Sequence, residues 1–151
     1  MAAAVVVCLS AGWLGSALGG QMGGGEWYEQ LRKPALTPPG WVFPVAWTTL
    51  YVLMGVAGGL VWWWRGRGGP VAAALVVFAV QLILNVAWSG IFFGLQRIGW
   101  AMVDLAALWV AIVATMVLFF RVRPAAGWLL VPYLAWVTFA GYLNAQLLRL
   151  N

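Results

Sequence analysis

Residues 71–95 read VAAALVVFAVQLILNVAWSGIFFGL, without one charged side chain. A helix crosses the hydrocarbon core of a bilayer with roughly 20 mainly apolar residues, so this run is long enough to span. Pro70 stands at its start, where a missing N–H costs little. Inside the run, Gln81, Asn85 and Ser89 fall at i, i+4 and i+8, which puts three polar side chains on one face of a helix. Hydrocarbon offers such groups no partner, and each unpaired group costs several kcal/mol. The stripe is therefore expected to face other helices. A spanning helix with an inward polar stripe implies a bundle.

The rest of the chain repeats the pattern. Spans are expected at about 2–20, 41–64, 99–120 and 125–148, besides 71–95. The fold class is all-α: an integral membrane bundle of five transmembrane helices forming one domain over residues 1–151. Five spans of about 20 residues use most of the chain. Composition agrees: 65% of residues are hydrophobic and 7% charged, and mean hydropathy is +0.95. A soluble domain carries about 25% charged residues, so a soluble enzyme, a disulfide scaffold and a disordered chain are excluded.

Single residue types exclude more. The chain has no His and one Cys, Cys8. An internal disulfide is impossible, a zinc site of the usual Cys/His kind lacks ligands, and no metal site or obligatory cofactor is expected. The net charge of +5 does not point to nucleic acid. The basic residues sit in pairs between apolar runs (Arg32 and Lys33, Arg65 and Arg67, Arg121 and Arg123), as membrane-flanking loops carry them. With five spans, four basic residues fall on each side, and the N-terminal amine and the opposing Glu26 and Glu29 lean towards an inside N-terminus.

No Lys or Arg precedes residues 2–20, so an uncleaved first helix is expected rather than a secretory signal. Ala4, Cys8, Gly12, Ser16 and Gly20 recur every four positions, a thin ridge that lets helices approach closely. Gly55 with Gly59, and Gly90 with Gly94, are GxxxG pairs; the second is a candidate face for a homodimer. Residues 21–40 break the apolar pattern. Gly23-Gly24-Gly25 is flexible, residues 26–33 have two turns of helical pattern ended by Pro34, and Pro38-Pro39-Gly40 forces a turn or an extended path. A loop of this length suits a lid over a binding site. Pro132 is expected to kink the fifth span. Asp104, the only acid outside the first loop, is expected near the interface, helped by the start of its helix.

The chain has 12 Trp. Trp13, Trp27, Trp41, Trp62, Trp63, Trp64, Trp100 and Trp128 lie near span ends or in the first loop, where aromatic residues anchor helices at the membrane boundary. Trp47, Trp88, Trp109 and Trp136 lie inside spans, and each has an indole N–H that needs a partner. Trp47 and Tyr51 share a face at i, i+4; Trp88 is three residues after Asn85; Trp136 with the small Ala140 makes a recess. Facing one another, these rings would wall an apolar slot for a large, flat molecule.

Trp27-Tyr28-x-x-Leu31-x-Lys33-Pro34, Thr37-Pro38-Pro39-Gly40-Trp41-Val42-Phe43 and Trp47-x-x-Leu50-Tyr51 resemble the translocator protein family, also called tryptophan-rich sensory proteins or peripheral benzodiazepine receptors. Asn85-x-x-Trp88-Ser89-x-x-Phe92-Phe93-Gly94, Pro132-Tyr133-x-x-Trp136 and Tyr142-Leu143-Asn144 through Leu150-Asn151 extend the likeness over nearly the whole chain. The resemblance implies a multi-pass protein of a bacterial membrane, often dimeric. It implies binding of protoporphyrin IX and related tetrapyrroles, sterols of the cholesterol kind and benzodiazepine or isoquinoline drugs, with receptor, sensory or passive transport roles. Matched position by position, it implies a pocket of Tyr28, Trp47, Tyr51, Asn85, Trp88, Trp136 and Ala140 under the first loop. Some bacterial relatives degrade porphyrin in light, which would make Trp47 and Trp136 the reactive rings. Two departures stand out. Leu36 replaces the Trp usual in the KPxWxPP segment. The C-terminal sterol pattern of Val137, Tyr142 and Arg149 fails by one residue of spacing.

Overall fold

The computed structural model describes residues 1–19 and 25–151. Its helices are α1 (Ala2–Gly19), α2 (Gly25–Gln30), α3 (Val42–Trp63), α4 (Val71–Ser89) continued by a π turn (Gly90–Gly94), α5 (Ile98–Val122), α6 (Pro124–Leu129) and α7 (Val131–Leu150). Five units are long and apolar enough to cross a membrane: α1, α3, α4 with its π turn, α5, and α6 with α7. The chain is thus an integral, multi-pass membrane protein with an all-α fold.

Prolines set several ends. Pro44 sits in the first turn of α3. Pro132 has no N–H to offer the carbonyl four residues back, and the fifth span is interrupted at Leu130, between α6 and α7. The helix of the first loop ends at Gln30, earlier than the run to Lys33 that the pattern suggested. The reason is a long-range contact: the Arg32 backbone is bonded to Asn151 instead of to its own turn.

Small residues seat α1. Its buried positions are Cys8, Gly12 and Gly15, so the ridge mixes steps of three and four; Gly20, and Gly23 with Gly24, lie outside the described residues. A Cβ on Gly55 would collide with the Val5 backbone, and one on Gly59 would lie 3.0 Å from Met1 Cα. A Cβ on Gly94 would lie 2.5 Å from the Leu18 carbonyl oxygen, and one on Gly90 3.7 Å from Leu18 Cβ. Both GxxxG pairs therefore meet α1 of the same chain, Gly94 at close approach and Gly90 in ordinary contact.

Asp104 also departs from expectation. It lies in the second turn of α5, beyond the reach of the helix N-terminus, and its Oδ2 is buried without a hydrogen-bond partner among the described residues.

Candidate functional site

The polar stripe of α4 faces inward. Gln81 and Asn85 are 1% and 3% exposed, and their partners come from other spans. Tyr51 of α3 donates to Asn85 Oδ1. Asn85 Nδ2 donates to the Tyr133 hydroxyl of α7 at 2.7 Å. Tyr133 in turn donates to Gln81 Oε1 at 2.7 Å, and Gln81 Nε2 lies 3.8 Å from Met54 Sδ. The chain ties three spans together where no water competes. One such bond contributes about 1 kcal/mol net, and stranding one buried partner costs about 1–3 kcal/mol.

Above this floor lies a cleft with an open mouth. One wall belongs to α3 and α7. The Trp47 ring lies 5.8 Å from Tyr51 and 6.4 Å from Trp136, the latter edge-on at 88°. Phe43 meets Trp136 at 6.0 Å, and Ala140, one turn past Trp136, leaves a recess beside the ring. The facing wall comes from the end of α4, where Trp88 stacks on Phe92 at 5.2 Å and Phe92 meets Phe93 at 4.6 Å. The π turn sets these two phenylalanines. Its wider winding is closed by Leu95 N–H donating to the Gly90 carbonyl at 2.8 Å, and such turns frequently mark functional sites. The third wall is α1, through Gly12, Gly15, Ser16 and Gly19. A Cβ on Gly12 would fall 2.5 Å from the Tyr51 ring, so glycine there is what lets the ring lie flat against the helix.

The first loop closes over the second wall. Tyr28 of α2 is buried and meets Phe93 at 5.8 Å, while Trp27 meets Phe92 at 5.7 Å. Burial pushes the Tyr28 phenol above its ordinary range. Lys33 Nζ stands 4.8 Å over the Tyr28 ring and donates to the Glu29 carbonyl at 3.0 Å. Asn151 fastens the loop from the far end of the sequence. It accepts from the Arg32 N–H and donates to the Arg32 carbonyl, each at 3.0 Å.

Six of the seven residues expected in the pocket line the cleft: Tyr28, Trp47, Tyr51, Trp88, Trp136 and Ala140. Asn85 does not. Its amide lies in the floor, spent on Tyr51 and Tyr133, so it positions the Tyr51 ring from below. Trp109 also stands apart from the other intramembrane indoles. It is 40% exposed and donates to Thr138 at 2.9 Å on the outer surface. Leu36 is 65% exposed and adds no wall. Val137 is buried while Tyr142 is 40% exposed, so the first two members of the C-terminal sterol pattern do not share a face.

Sequence reasoning gave no pocket role to Phe43, Phe92, Phe93, the glycines of α1, or Asn144. Asn144 accepts from the Trp88 indole at 3.3 Å and donates to the Ile98 carbonyl at 3.1 Å, which fixes Trp88 against the start of α5. Trp136 differs: its indole Nε1 is buried and has no hydrogen-bond partner among the described residues.

Among the described residues the lining contains no carboxylate, amine, guanidinium or thiol; its titratable groups are two phenols. The arrangement suits stacking on an apolar, planar molecule. Among the described residues no cluster of metal-ligating side chains occurs.

The TspO/MBR family model matches residues 4–150. "Tryptophan-rich protein TspO" of Chlorobaculum tepidum is 43% identical over 100% of this chain and 95% of its own length. "Protein CrtK" of Rhodobacter capsulatus is 42% identical over 97% of this chain and 89% of its own. "Translocator protein" of Homo sapiens is 43% identical over 91% of this chain and 84% of its own. A match of this extent, on a five-span bundle whose tryptophans gather beneath the first loop, establishes that the chain belongs to the TspO/MBR family.

Proposed function

We propose that this protein binds a planar, largely apolar small molecule of the tetrapyrrole class, such as protoporphyrin IX, in the aromatic cleft, and that it senses or handles that ligand in the membrane. The observation that carries the reading is the meeting of Trp47 and Trp136 from separate spans, edge-on at 6.4 Å, on the wall of one cleft. An aromatic contact set this way contributes about 0.5–1.5 kcal/mol beyond the apolar area it buries. The family resemblance supplies the ligand class, and the relatives named sensory and translocator proteins support a role in sensing or passage. Sterols and benzodiazepine- or isoquinoline-type molecules fit the same wall chemistry.

Titration of the purified protein with protoporphyrin IX, followed by indole fluorescence, tests the reading. The double variant Trp47→Phe, Trp136→Phe should bind at least about tenfold more weakly, the loss of roughly 1.4 kcal/mol. Equal binding would put the ligand elsewhere.

The same pair of rings supports a second reading, light-dependent porphyrin degradation. Two oxidisable indoles stand beside the space where an excited ring would sit, dissolved oxygen would be the oxidant that attacks the ring, and among the described residues the lining has no acid–base pair for another chemistry. Illumination of the complex should consume porphyrin in the wild type and spare it in the double variant. Loss at the same rate in both would leave binding as the whole activity.

A further inference from the structure

The end of the bundle opposite the cleft carries a feature that ligand binding leaves unused. The α3–α4 link and the α5–α6 junction lie on this side. Trp64, just past the end of α3, has two guanidinium groups over its ring: Arg67 at 4.7 Å and Arg123 at 5.3 Å from the centroid. The neighbouring Arg65 is already engaged. It stands 4.4 Å over Trp62 and donates to the Trp62 carbonyl at 3.1 Å. Arg123 Nε is buried and has no hydrogen-bond partner among the described residues.

No carboxylate of the chain answers these cations. The three acids are Glu26 and Glu29 in the first loop and Asp104 near the start of α5. Asp104 lies about 25 Å of helix away from Arg121. A stacked guanidinium keeps its N–H edge free and fixed in direction, which suits an oxyanion. A buried donor left unpaired is costly. Trp62 and Trp63 are 52% and 71% exposed beside the pair, the way aromatic residues sit at the depth of lipid headgroups.

We propose that Arg67, Trp64 and Arg123 form a site for the headgroup of an anionic phospholipid. The phosphate accepts from the terminal N–H groups of the Arg67 and Arg123 guanidinium groups, while Trp64 holds both forks in place. Trp62 and Trp63 lie beside it to receive the acyl chains. Inorganic phosphate presents the same oxygens without those chains. A basic recess between helix ends is a recurrent site for acidic headgroups.

Native mass spectrometry of the full chain in micelles doped with phosphatidylglycerol or phosphatidylcholine tests this. Wild type should retain phosphatidylglycerol in preference to phosphatidylcholine. Retention should fall at least about tenfold in the Arg67→Gln, Arg123→Gln double variant and in Trp64→Leu. It should persist in Arg97→Gln, Arg149→Gln, which removes the same charge from the other end of the bundle. Should the first double variant not fold, Arg67→Gln alone must still weaken retention. Inorganic phosphate at millimolar concentration should leave the lipid bound. Equal retention by the two double variants would overturn the proposal, and so would displacement of the lipid by phosphate.

Discussion

At the cleft end of the bundle, Trp47, Trp88 and Trp136 line the interior; at the opposite end, Trp62, Trp63 and Trp128 are 52%, 71% and 67% exposed. Hydropathy does not separate the two ends. Glycine packing does. Far from the cleft, Gly55 and Gly59 receive the backbone of α1 at Val5 and Met1, so helices touch and no space remains. Near the cleft, Gly12 faces the Tyr51 ring, Gly15 faces Ser89 and Gly19 faces Phe93. Small residues opposed by backbone close a seam, as Gly94 does against Leu18 even at the cleft end, whereas Gly12 and Gly19, opposed by the Tyr51 and Phe93 side chains, border the hollow. The rings are held by polar groups: Asn85 under Tyr51 and Asn144 beside Trp88.

This contrast breaks first at its closed end. Gly55→Leu should displace α1, because the obstacle is backbone. A loss of about 3 kcal/mol or more is expected, read as a fall in unfolding temperature in nanodiscs. An unchanged temperature would mean that α1 is not seated there.

At the cleft end, Asn85→Leu strands the Tyr51 hydroxyl, while Tyr133 keeps its bond to Gln81. About 1–3 kcal/mol of stability should disappear, and porphyrin affinity should fall with it although Asn85 does not line the cleft. A stable variant that binds poorly would instead place Asn85 in the pocket, as the family motif implies.

The lid should respond more weakly. Asn151→Ala removes both bonds to Arg32, a loss of about 1–2 kcal/mol. Hydrogen exchange at Arg32 should speed up while exchange within α3 and α4 stays as it was. Protection unchanged at Arg32 would show that the loop is fastened by Tyr28 and Trp27 alone.

The smallest effect concerns pH. Burial raises the Tyr28 phenol above its ordinary value of 10.0, so folded and unfolded forms are both neutral below that pH and nothing changes there. Above it the unfolded phenol ionises first, and the seating of the loop weakens as pH rises. Loop protection should therefore be flat from about pH 7 to 9 and fall only beyond about 10. A midpoint near neutrality would require a different titrating group.

The spans were legible because bilayer crossing needs length and apolarity, both of which are local. The inward polar stripe was legible for the same reason: Gln81 and Asn85 have no partners on their own helix. Those partners were not legible. Tyr133 is 48 residues from Asn85, and periodicity tells which face is buried without telling what lies across from it. Trp109 shows the same limit: its indole finds its partner in Thr138 on the outer surface, 29 residues away. The role of α1 was half legible: the small residues announced close packing, but the rings opposite them decide between a seam and a cavity. The clasp of Asn151 on Arg32 joins the two ends of the sequence and left no local trace.

On the proposed function, the indoles of one end face a ligand while those of the other face the membrane boundary. Protoporphyrin IX affinity, measured side by side for Trp47→Phe, Trp136→Phe and for Trp62→Phe, Trp63→Phe, separates the two ends. Binding should weaken at least about tenfold for the first pair and stay at the wild-type level for the second. Equal losses in both, or loss only in the second, would contradict it.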